Sequence, residues 1–330
     1  MMRLPSSELV APFLRALSIT ARQRIATGAK RPGWSFAFEW MVESLRQNAK
    51  RLSVRPLEST RASWEKTAAI DPAMDAVVSQ PTSVAYVSSE WFRPRGTPRP
   101  GGPTLLYLHG GGYCIGSTHT HAGLIARLTL AHGGQTLAVN YRLAPEHKFP
   151  AALDDAVSAY RGLLESGIPS DQLFIGGDSA GGGLTLATML RLRDLGLPLP
   201  KAGLLLCPWV DLMDTGGSMQ RNAPYDWMDP SAPPVWASYY LQKGQDPKDP
   251  LASPLYADLT GLPPLMIQVG TAELLYDQII KLADRARSQG VSVELEQAPD
   301  MIHNWHVLAP FFPHCQAAIE RLASYMRAQR

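Results

Sequence analysis

Cysteine is scarce in this sequence, and its spacing forms no recognisable motif. The three cysteines among the 330 residues are Cys114, Cys207 and Cys315. They form no Cys-x-x-Cys pair and no cluster with histidine. This spacing excludes a disulfide framework and a structural zinc site, so no metal is predicted. We expect a reduced, cytoplasmic protein.

Long apolar runs are missing as well. The chain has no stretch of 18 consecutive apolar residues, so no integral membrane association is expected. Near the N-terminus, Arg15, Arg22 and Arg24 interrupt the apolar core that a signal peptide would need.

An excess of one charge sign is also missing. The chain has 31 Lys and Arg against 29 Asp and Glu, a net charge of +2 that gives no reason to expect a nucleic-acid partner. The total conceals an asymmetry, because residues 1–66 carry twelve Lys or Arg against five Asp or Glu. This excess is typical of a solvated helical face. The alternative interpretation is a basic lid or a membrane-surface helix.

Short apolar segments alternate with longer segments of helical periodicity. This pattern predicts βαβ units and a mostly parallel sheet covered on both faces, which is an α/β fold. Residues 211–256, rich in Pro, Trp and Tyr, interrupt the alternation and are interpreted as an insertion. The predicted strands are 84–92, 104–108, 136–139, 173–175, 203–207, 265–269 and 291–295, and the predicted helices are 119–132, 151–165, 181–194, 274–289 and 313–328.

A serine lies between one of these strands and the following helix. Residues 177–181 read Gly-Asp-Ser-Ala-Gly and fit the G-x-S-x-G pattern of a nucleophile elbow. Such a serine sits on a tight turn, where side chains at Gly177 and Gly181 would collide with the neighbouring strand and helix. Ser179 is therefore the candidate nucleophile. The alternatives are an ordinary glycine-rich turn and a phosphate-binding loop, but the Gly-Lys-Ser/Thr of the latter is absent.

Three consecutive glycines follow the strand at 104–108. Residues 109–112 read His-Gly-Gly-Gly, and such glycines let the backbone approach a ligand and present bare amides. Beside a serine nucleophile, the amides of this loop can stabilise the oxyanion of a tetrahedral intermediate, and the turn at Ser179 directs the N–H of Ala180 to the same place. The alternative is a flexible glycine loop.

A serine nucleophile needs a base, which should follow the last strand. His303 is nearest that strand end and is the predicted base. His306 is the reserve candidate, and His314 lies further along the chain.

The base in turn needs an acid, which should follow the strand at 265–269. Glu273 lies three residues beyond Gly270 and is the predicted acid. Asp277 is the alternative, with capping or tethering of the loop as its other possible role. Asp300 is less favoured because it precedes the predicted base by only three residues.

These motifs together resemble the hormone-sensitive-lipase-like family of α/β-hydrolases, also called family IV bacterial esterases. The resemblance includes residues 141–147, Tyr-Arg-Leu-Ala-Pro-Glu-His, and 149–155, Phe-Pro-Ala-Ala-Leu-Asp-Asp. It implies an α/β-hydrolase fold with an N-terminal helical cap, Ser179 as nucleophile and His303 as base. It also implies that the N–H groups of Gly111, Gly112 and Ala180 form the oxyanion hole. The family's usual acid is an aspartate in an Asp-Pro-Leu context, whereas this chain has Glu273 followed by two leucines, similar to a subset that uses glutamate.

The resemblance also sets the expected organisation and activity. Residues 1–75 are expected to form the cap, with a contribution from residues 211–250, and residues 76–330 the catalytic domain. The expected reaction is hydrolysis of small-molecule esters with short-to-medium acyl groups, without a cofactor. A terpenoid-type lactone hydrolase, a non-catalytic receptor and a dehydratase remain alternatives. A homodimer through the last strand and helix also remains open.

Aromatic side chains are numerous near the expected cap and pocket mouth. An apolar pocket suits a hydrophobic alcohol or acyl group, although aromatics at helical spacing also pack within caps. The aromatics that could supply such a pocket include Phe36, Trp227, Trp236 and Tyr239. The predicted substrate-binding residues are Trp34, Phe38, Tyr113, Trp209 and Trp305.

Overall fold

A computed structural model describes residues 7–67, 71–96, 102–214 and 216–329. Residues 1–6, 68–70 and 215 of the expected cap lie outside the described residues. The strands are β1 (Val77–Val84), β2 (Val87–Pro94), β3 (Thr104–Leu108), β4 (Gln135–Val139), β5 (Leu173–Asp178), β6 (Ala202–Leu206), β7 (Leu265–Gly270) and β8 (Val293–Ala298). The helices are α1 (Ser7–Thr27), α2 (Phe36–Ser53), α3 (Leu57–Thr67), α4 (Ala122–His132), α5 (Ala151–Glu165), α6 (Ala180–Asp194), α7 (Ser218–Arg221), α8 (Ala232–Tyr240), α9 (Tyr276–Ser288) and α10 (Pro313–Ala328).

The strands form one eight-stranded sheet in the order β1-β2-β4-β3-β5-β6-β7-β8. The six strands β4-β3-β5-β6-β7-β8 pair parallel with their neighbours. At the other edge, β1 pairs antiparallel with β2, and β2 pairs antiparallel with β4. The predicted α/β class with a mostly parallel sheet is confirmed.

Helices cover both faces of the sheet because its central strands are apolar on both sides. All five residues of β3 are buried. Leu106 and Leu108 face a core that includes residues of α5, α6 and α9, whereas Leu105 and Tyr107 face a second core built with α4 and α10. Alternating strand residues thus serve two separate cores, as expected for a buried parallel strand.

The strand predicted at 84–92 corresponds to β2, but its predicted start is wrong. The structure has a hairpin there: β1 ends at Val84, Ala85 and Tyr86 form the turn with φ of 47° and 68°, and β2 begins at Val87. Such turns usually contain Asn or Gly, and neither occurs here. β1 is also largely exposed, so it lacks the apolar alternation that identifies a strand.

The N-terminal helices pack on each other and on the sheet domain. Ser35 caps α2 by accepting a hydrogen bond from the N–H of Phe38. The ring of Phe38 packs edge-on against Phe312, 5.1 Å away between centroids. The guanidinium of Arg61 in α3 donates to the carbonyl of Cys114 at 2.8 Å. These contacts fix α2 against the residue that precedes α10, and α3 beside the loop that follows β3.

Measured over the described residues, no helix combines the length and the hydropathy that a bilayer crossing requires.

Candidate active site

Ser179 lies at the point where β5 turns into α6. Its φ of 54° and ψ of −121° are rare for a residue with a side chain. A Cβ atom on Gly177 or Gly181 would overlap the carbonyl oxygen of Leu108. The two glycines therefore permit a turn that holds the serine in a strained conformation, as expected for a nucleophile elbow.

The predicted base and acid lie in line with this serine. The Ser179 hydroxyl is 2.9 Å from Nε2 of His303, and Nδ1 of the same ring is 3.3 Å from Oε1 of Glu273. The other carboxylate oxygen of Glu273 accepts a hydrogen bond from the N–H of Gly270 at 2.8 Å. Both His303 and Glu273 are buried. The serine hydroxyl can therefore donate to Nε2 while Nδ1–H donates to the carboxylate.

The buried carboxylates make this histidine a stronger base. Burial by itself lowers the pKa of His303, but the hydrogen bond and charge of Glu273, with smaller contributions from Asp226 and Asp178, raise the pKa above its usual value. An imidazole in this environment takes up a proton more readily than a solvent-exposed one.

The other candidate bases have partners other than Ser179, and the other candidate acids have partners other than His303. Nε2 of His306 lies 2.8 Å from Oε1 of Gln268, and His314 packs beside aromatic rings of the second core. Asp277 pairs with Arg221 and accepts from the N–H of Ser218, which tethers the loop before α7. Asp300 pairs with Arg31 instead.

The glycine loop after β3 has two N–H groups positioned for a ligand. Gly111 and Gly112 have φ of 117° and 60°, and a Cβ atom on Gly112 would strike the ring of Trp236. In the part of the chain that the structure describes, neither N–H has a hydrogen-bond acceptor. The N–H of Ala180 opens α6 and has no partner within that helix. Both this loop and Ser179 border the same cavity.

A buried carboxylate next to the serine anchors the glycine loop. Oδ1 of Asp178 accepts hydrogen bonds from the N–H of Gly110 at 2.9 Å and from the hydroxyl of Tyr107 at 2.6 Å. Oδ2 accepts from Asn304 at 2.6 Å and lies 3.5 Å from His121. Burial alone would raise the pKa of Asp178, but charge interaction and hydrogen bonding with His121, and the bond from Tyr107, lower it. The sequence motif contained this aspartate, but its spacing did not reveal these partners.

A cavity of about 200 Å³ opens above Ser179. One part of its wall comes from α2, where four residues at helical spacing share one face: Leu45, Asn48, Ala49 and Leu52. The remaining lining residues come from α3, the insertion and the loops at the strand ends: Trp64, Gly111, Gly112, Ile115, Thr120, His121, Asp178, Ser179, Trp227, Met228, Trp236, His303, Asn304 and Val307.

The five predicted substrate-binding aromatics do not line this cavity, so that prediction requires correction. Each is at most 3% exposed and fills the core: Trp34, Phe38, Tyr113, Trp209 and Trp305. Tyr113, for example, stacks on Tyr240 at 3.8 Å between centroids. Burial of large apolar surface accounts for these positions. The cavity aromatics are Trp64, Trp227 and Trp236, of which the last two belong to the aromatic supply noted in the sequence.

One functional-site residue had no sequence signal. Asp226, in the insertion, is fully buried beside both the acid and the base. Its carboxylate accepts from the N–H groups of Leu274 at 2.8 Å and of His303 at 3.2 Å. It lies in an irregular segment and in no recognised motif, so only the three-dimensional structure identifies it.

Three potential metal donors also lie close together. The donor atoms of Cys207, Glu273 and His303 are within 4.8 Å of one another. Each already takes part in a hydrogen bond: the thiol sulfur accepts from the N–H of Asn304, and the other two bond to each other. Burial and the nearby Glu273 raise the pKa of the Cys207 thiol well above its usual value, which disfavours the thiolate that binds metal.

A mostly parallel sheet with helices on both faces and a serine on a strained strand-to-helix turn defines an α/β hydrolase. Residues 105–307 match a family model described as the alpha/beta hydrolase fold. The chain is 45% identical over 246 residues to an acetyl-hydrolase of Streptomyces hygroscopicus, an alignment that covers 74% of this chain and 81% of that protein. It is 30% identical over 294 residues to an esterase of Acinetobacter venetianus, covering 88% and 96%.

A solved structure gives the same result. A hormone-sensitive lipase from a metagenome library superposes with a TM-score of 0.83 at 37% identity, covering 88% of this chain and 97% of that one. The chain therefore belongs to the hormone-sensitive-lipase-like α/β-hydrolase esterases. It is a carboxylesterase, and its reaction is the hydrolysis of carboxylic esters.

Proposed function

We propose that this carboxylesterase hydrolyses short-to-medium acyl esters with Ser179 as nucleophile, His303 as general base and Glu273 as the orienting acid. The observation that carries the proposal is the continuous line of contacts from the serine hydroxyl through both ring nitrogens to the buried carboxylate. The N–H groups of Gly111, Gly112 and Ala180 form the proposed oxyanion hole.

The reaction begins when Oγ of Ser179 attacks the ester carbonyl and its proton passes to Nε2 of His303. The resulting oxyanion accepts hydrogen bonds from the N–H groups of Gly111, Gly112 and Ala180. His303 then protonates the leaving alcohol, which departs and leaves an acyl-enzyme on the serine. Water attacks this acyl group while its proton passes to His303. His303 then returns that proton to Oγ of Ser179 as the C–O bond to the serine breaks and the acid is released. Glu273 keeps the proton on Nδ1 and stabilises the imidazolium.

The cavity volume supports small acyl groups. An apolar cavity of about 150 Å³ accommodates benzene, with six heavy atoms. At about 200 Å³, this cavity is of the size that acetyl to hexanoyl groups require. The name of the Streptomyces relative, acetyl-hydrolase, supports the lower end of that range.

We also propose that the N-terminal helices and the insertion form the cap, residues 1–75 and 211–250. Leu45 and Leu52 of α2, Trp64 of α3, and Trp227 and Trp236 of the insertion support this division, because they face the predicted catalytic residues across the cavity.

The test of the nucleophile is Ser179→Ala. Hydrolysis of p-nitrophenyl acetate should fall by at least about 10³-fold, since loss of a triad nucleophile removes nearly all chemical catalysis. Ser44→Ala is the matched control, because Ser44 is also buried but donates only to its own helix, at the carbonyl of Trp40. A fluorophosphonate should label the control and not the Ser179 variant. Retention of most activity by Ser179→Ala would overturn the proposal.

The substrate class requires a panel of p-nitrophenyl esters from about two to about sixteen carbons, with a terpenoid-type lactone added. The proposal is supported if kcat/KM is highest for short acyl chains and declines for chains too large for the cavity. Preferred hydrolysis of the lactone, lost in Ser179→Ala, would support the alternative substrate class with the same machinery.

The remaining sequence predictions concern cell compartment and assembly. We propose a reducing compartment, such as the cytoplasm, because the three cysteines are buried and unpaired. A homodimer through β8 and α10 stays a prediction.

A further inference from the structure

Asp226 is buried in the insertion and has no role in the reaction sequence given above. One oxygen of its carboxylate accepts a hydrogen bond from the N–H of Leu274, the residue after Glu273, at 2.8 Å. The other oxygen accepts a hydrogen bond from the N–H of His303 at 3.2 Å. A single carboxylate therefore connects the loop that carries the acid to the loop that carries the base.

Its neighbours complete the attachment of both loops. The indole N–H of Trp227 donates to the carbonyl of His303 at 2.7 Å, so consecutive insertion residues hold the base at its N–H and its carbonyl. The side-chain amide of Asn222 donates to the carbonyl of Glu273 at 2.8 Å. Backbone groups at or next to both catalytic candidates are thus bound to one short segment, residues 222–227.

This segment is itself fixed from the opposite side. Nε of Arg46, in α2, donates to the backbone carbonyl of Asp226 at 3.0 Å, and its Nη2 donates to the carbonyl of Pro224 at 2.7 Å. The insertion therefore cannot shift relative to α2 without loss of these bonds.

The placement matters because His303 and Glu273 follow different strands, β8 and β7. Their side-chain contact at 3.3 Å is long for a charge-assisted hydrogen bond. A misplacement of about 1 Å can cost about 10²-fold in rate. A bridge between the two loops controls this distance directly.

Asp226 also contributes negative charge to the base. The titratable groups that act on the pKa of His303 are Glu273, Asp226 and Asp178, and each raises it. Glu273 and His303 in turn act on Asp226, whose own pKa burial raises to about 6. Asp226 also interacts with the thiol of Cys207. Removing the Asp226 charge therefore lowers the pKa of His303, because less negative charge remains to offset the effect of burial.

We propose that Asp226 is a positioning residue for ester hydrolysis, joining the acid loop to the base loop and stabilising the protonated base with its charge. This inference rests on the proposed roles of Glu273 and His303.

Asp226→Asn tests it, because the amide keeps the shape but provides one acceptor oxygen and no charge. We expect kcat per active site to fall by about 10- to 100-fold with little change in KM for p-nitrophenyl acetate. The base must be neutral to act, so its lowered pKa should move the acid limb of kcat/KM to lower pH. Active-site titration with diethyl p-nitrophenyl phosphate normalises the rates to folded enzyme.

Asp211→Asn is the matched control, since Asp211 is a buried carboxylate of the same insertion that bonds to Met213 and Tyr256 instead. It should leave kcat and the acid limb unchanged. Trp227→Phe removes the bond to the His303 carbonyl and makes the aromatic ring at the cavity wall smaller, but it removes no charge. It should lower kcat without moving the acid limb, because no charge is lost.

An Asp226→Asn enzyme with wild-type kcat and an unmoved acid limb would overturn the inference. If the Asp226→Asn enzyme does not fold, a wild-type kcat in Trp227→Phe would also overturn the inference. Failure of the proposed function would look different, because Ser179→Ala would then retain activity whatever the Asp226 variant does.

Discussion

At the scale of single residues, two acidic side chains separated by one turn have opposite surroundings. Glu273 is fully buried and contacts the imidazole of His303. Asp277 is partly exposed and pairs with Arg221. The sequence alone predicted Glu273 as the acid and kept Asp277 as the alternative, because both follow the same strand.

We therefore expect Glu273→Gln to lower kcat by about 10⁴-fold, the scale of effect seen when a triad acid becomes an amide. Asp277→Asn should cost less than about tenfold, through weaker tethering of the loop before α7. Steady-state kinetics on p-nitrophenyl acetate give both values. A larger loss in Asp277→Asn would reverse the assignment of the acid.

The residues that the sequence predicted well are those whose chemistry restricts the backbone. Gly177 and Gly181 have no room for a side chain, so the elbow is visible as a motif. The backbone at Asp226 has no such restriction, because any segment that folds over the site can place a carboxylate there. Its partners are three backbone N–H groups, those of Trp227, Leu274 and His303, which leave no trace in the sequence.

At the scale of elements, α2 shows why the cavity wall was not predicted. Phe38 and Val42 face the second core, while Leu45, Ala49 and Leu52 border the cavity. These residues lie on one apolar stripe of α2, whose first part packs on the core and whose last part borders the cavity. Periodicity therefore identifies this stripe without deciding which of its residues meet the substrate. The predicted substrate-binding aromatics failed for the same reason, since core and cavity select similar side chains.

The attachment of α3 gives a test at this scale. Arg61 donates to the carbonyls of Cys114 at 2.8 Å and Ala144 at 2.7 Å, and forms two bonds with the carboxylate of Glu146. Arg61→Met should destabilise the fold by about 2 kcal/mol, because two carbonyls lose a charged donor. It should also lower kcat/KM, since Trp64 one turn away borders the cavity.

Arg193→Met is the control, because Arg193 makes a similar set of bonds, to the carbonyls of Asp258 and Thr260 and to the carboxylate of Asp194. Thermal unfolding should show comparable losses of stability in both variants. Kinetics should show a loss in Arg61→Met alone. Equal kcat/KM in the two variants would mean that α3 does not shape the site.

At the scale of the whole molecule, the basic N-terminal region makes several contacts with the rest of the chain. Arg31 pairs with Asp300 at 2.7 Å and Arg61 with Glu146 at 2.8 Å. Arg46 donates to carbonyls of the insertion. Part of the charge asymmetry seen in the sequence is therefore used in contacts between the N-terminal helices and a mildly acidic body.

This arrangement predicts no preference for anionic substrates. Among the described residues that border the cavity, none is Lys or Arg. The ratio of kcat/KM for an anionic and a neutral ester should stay within about twofold between roughly 0.05 and 1 M salt, although the Debye length shrinks to about 3 Å. A low-salt advantage for the anionic ester that disappears at high salt would instead indicate a basic lid that attracts substrate.

The composition of the cavity wall has a consequence for engineering. Ser179, His303 and the glycine loop come from the ends of sheet strands, whereas Leu45, Ala49 and the other residues of one α2 face come from a separate segment. Reactivity and substrate range are therefore encoded in different stretches of the gene. A library confined to that face of α2 would sample new acyl groups while the bond-breaking apparatus stays intact, so variants with altered selectivity should be recovered without a general loss of turnover.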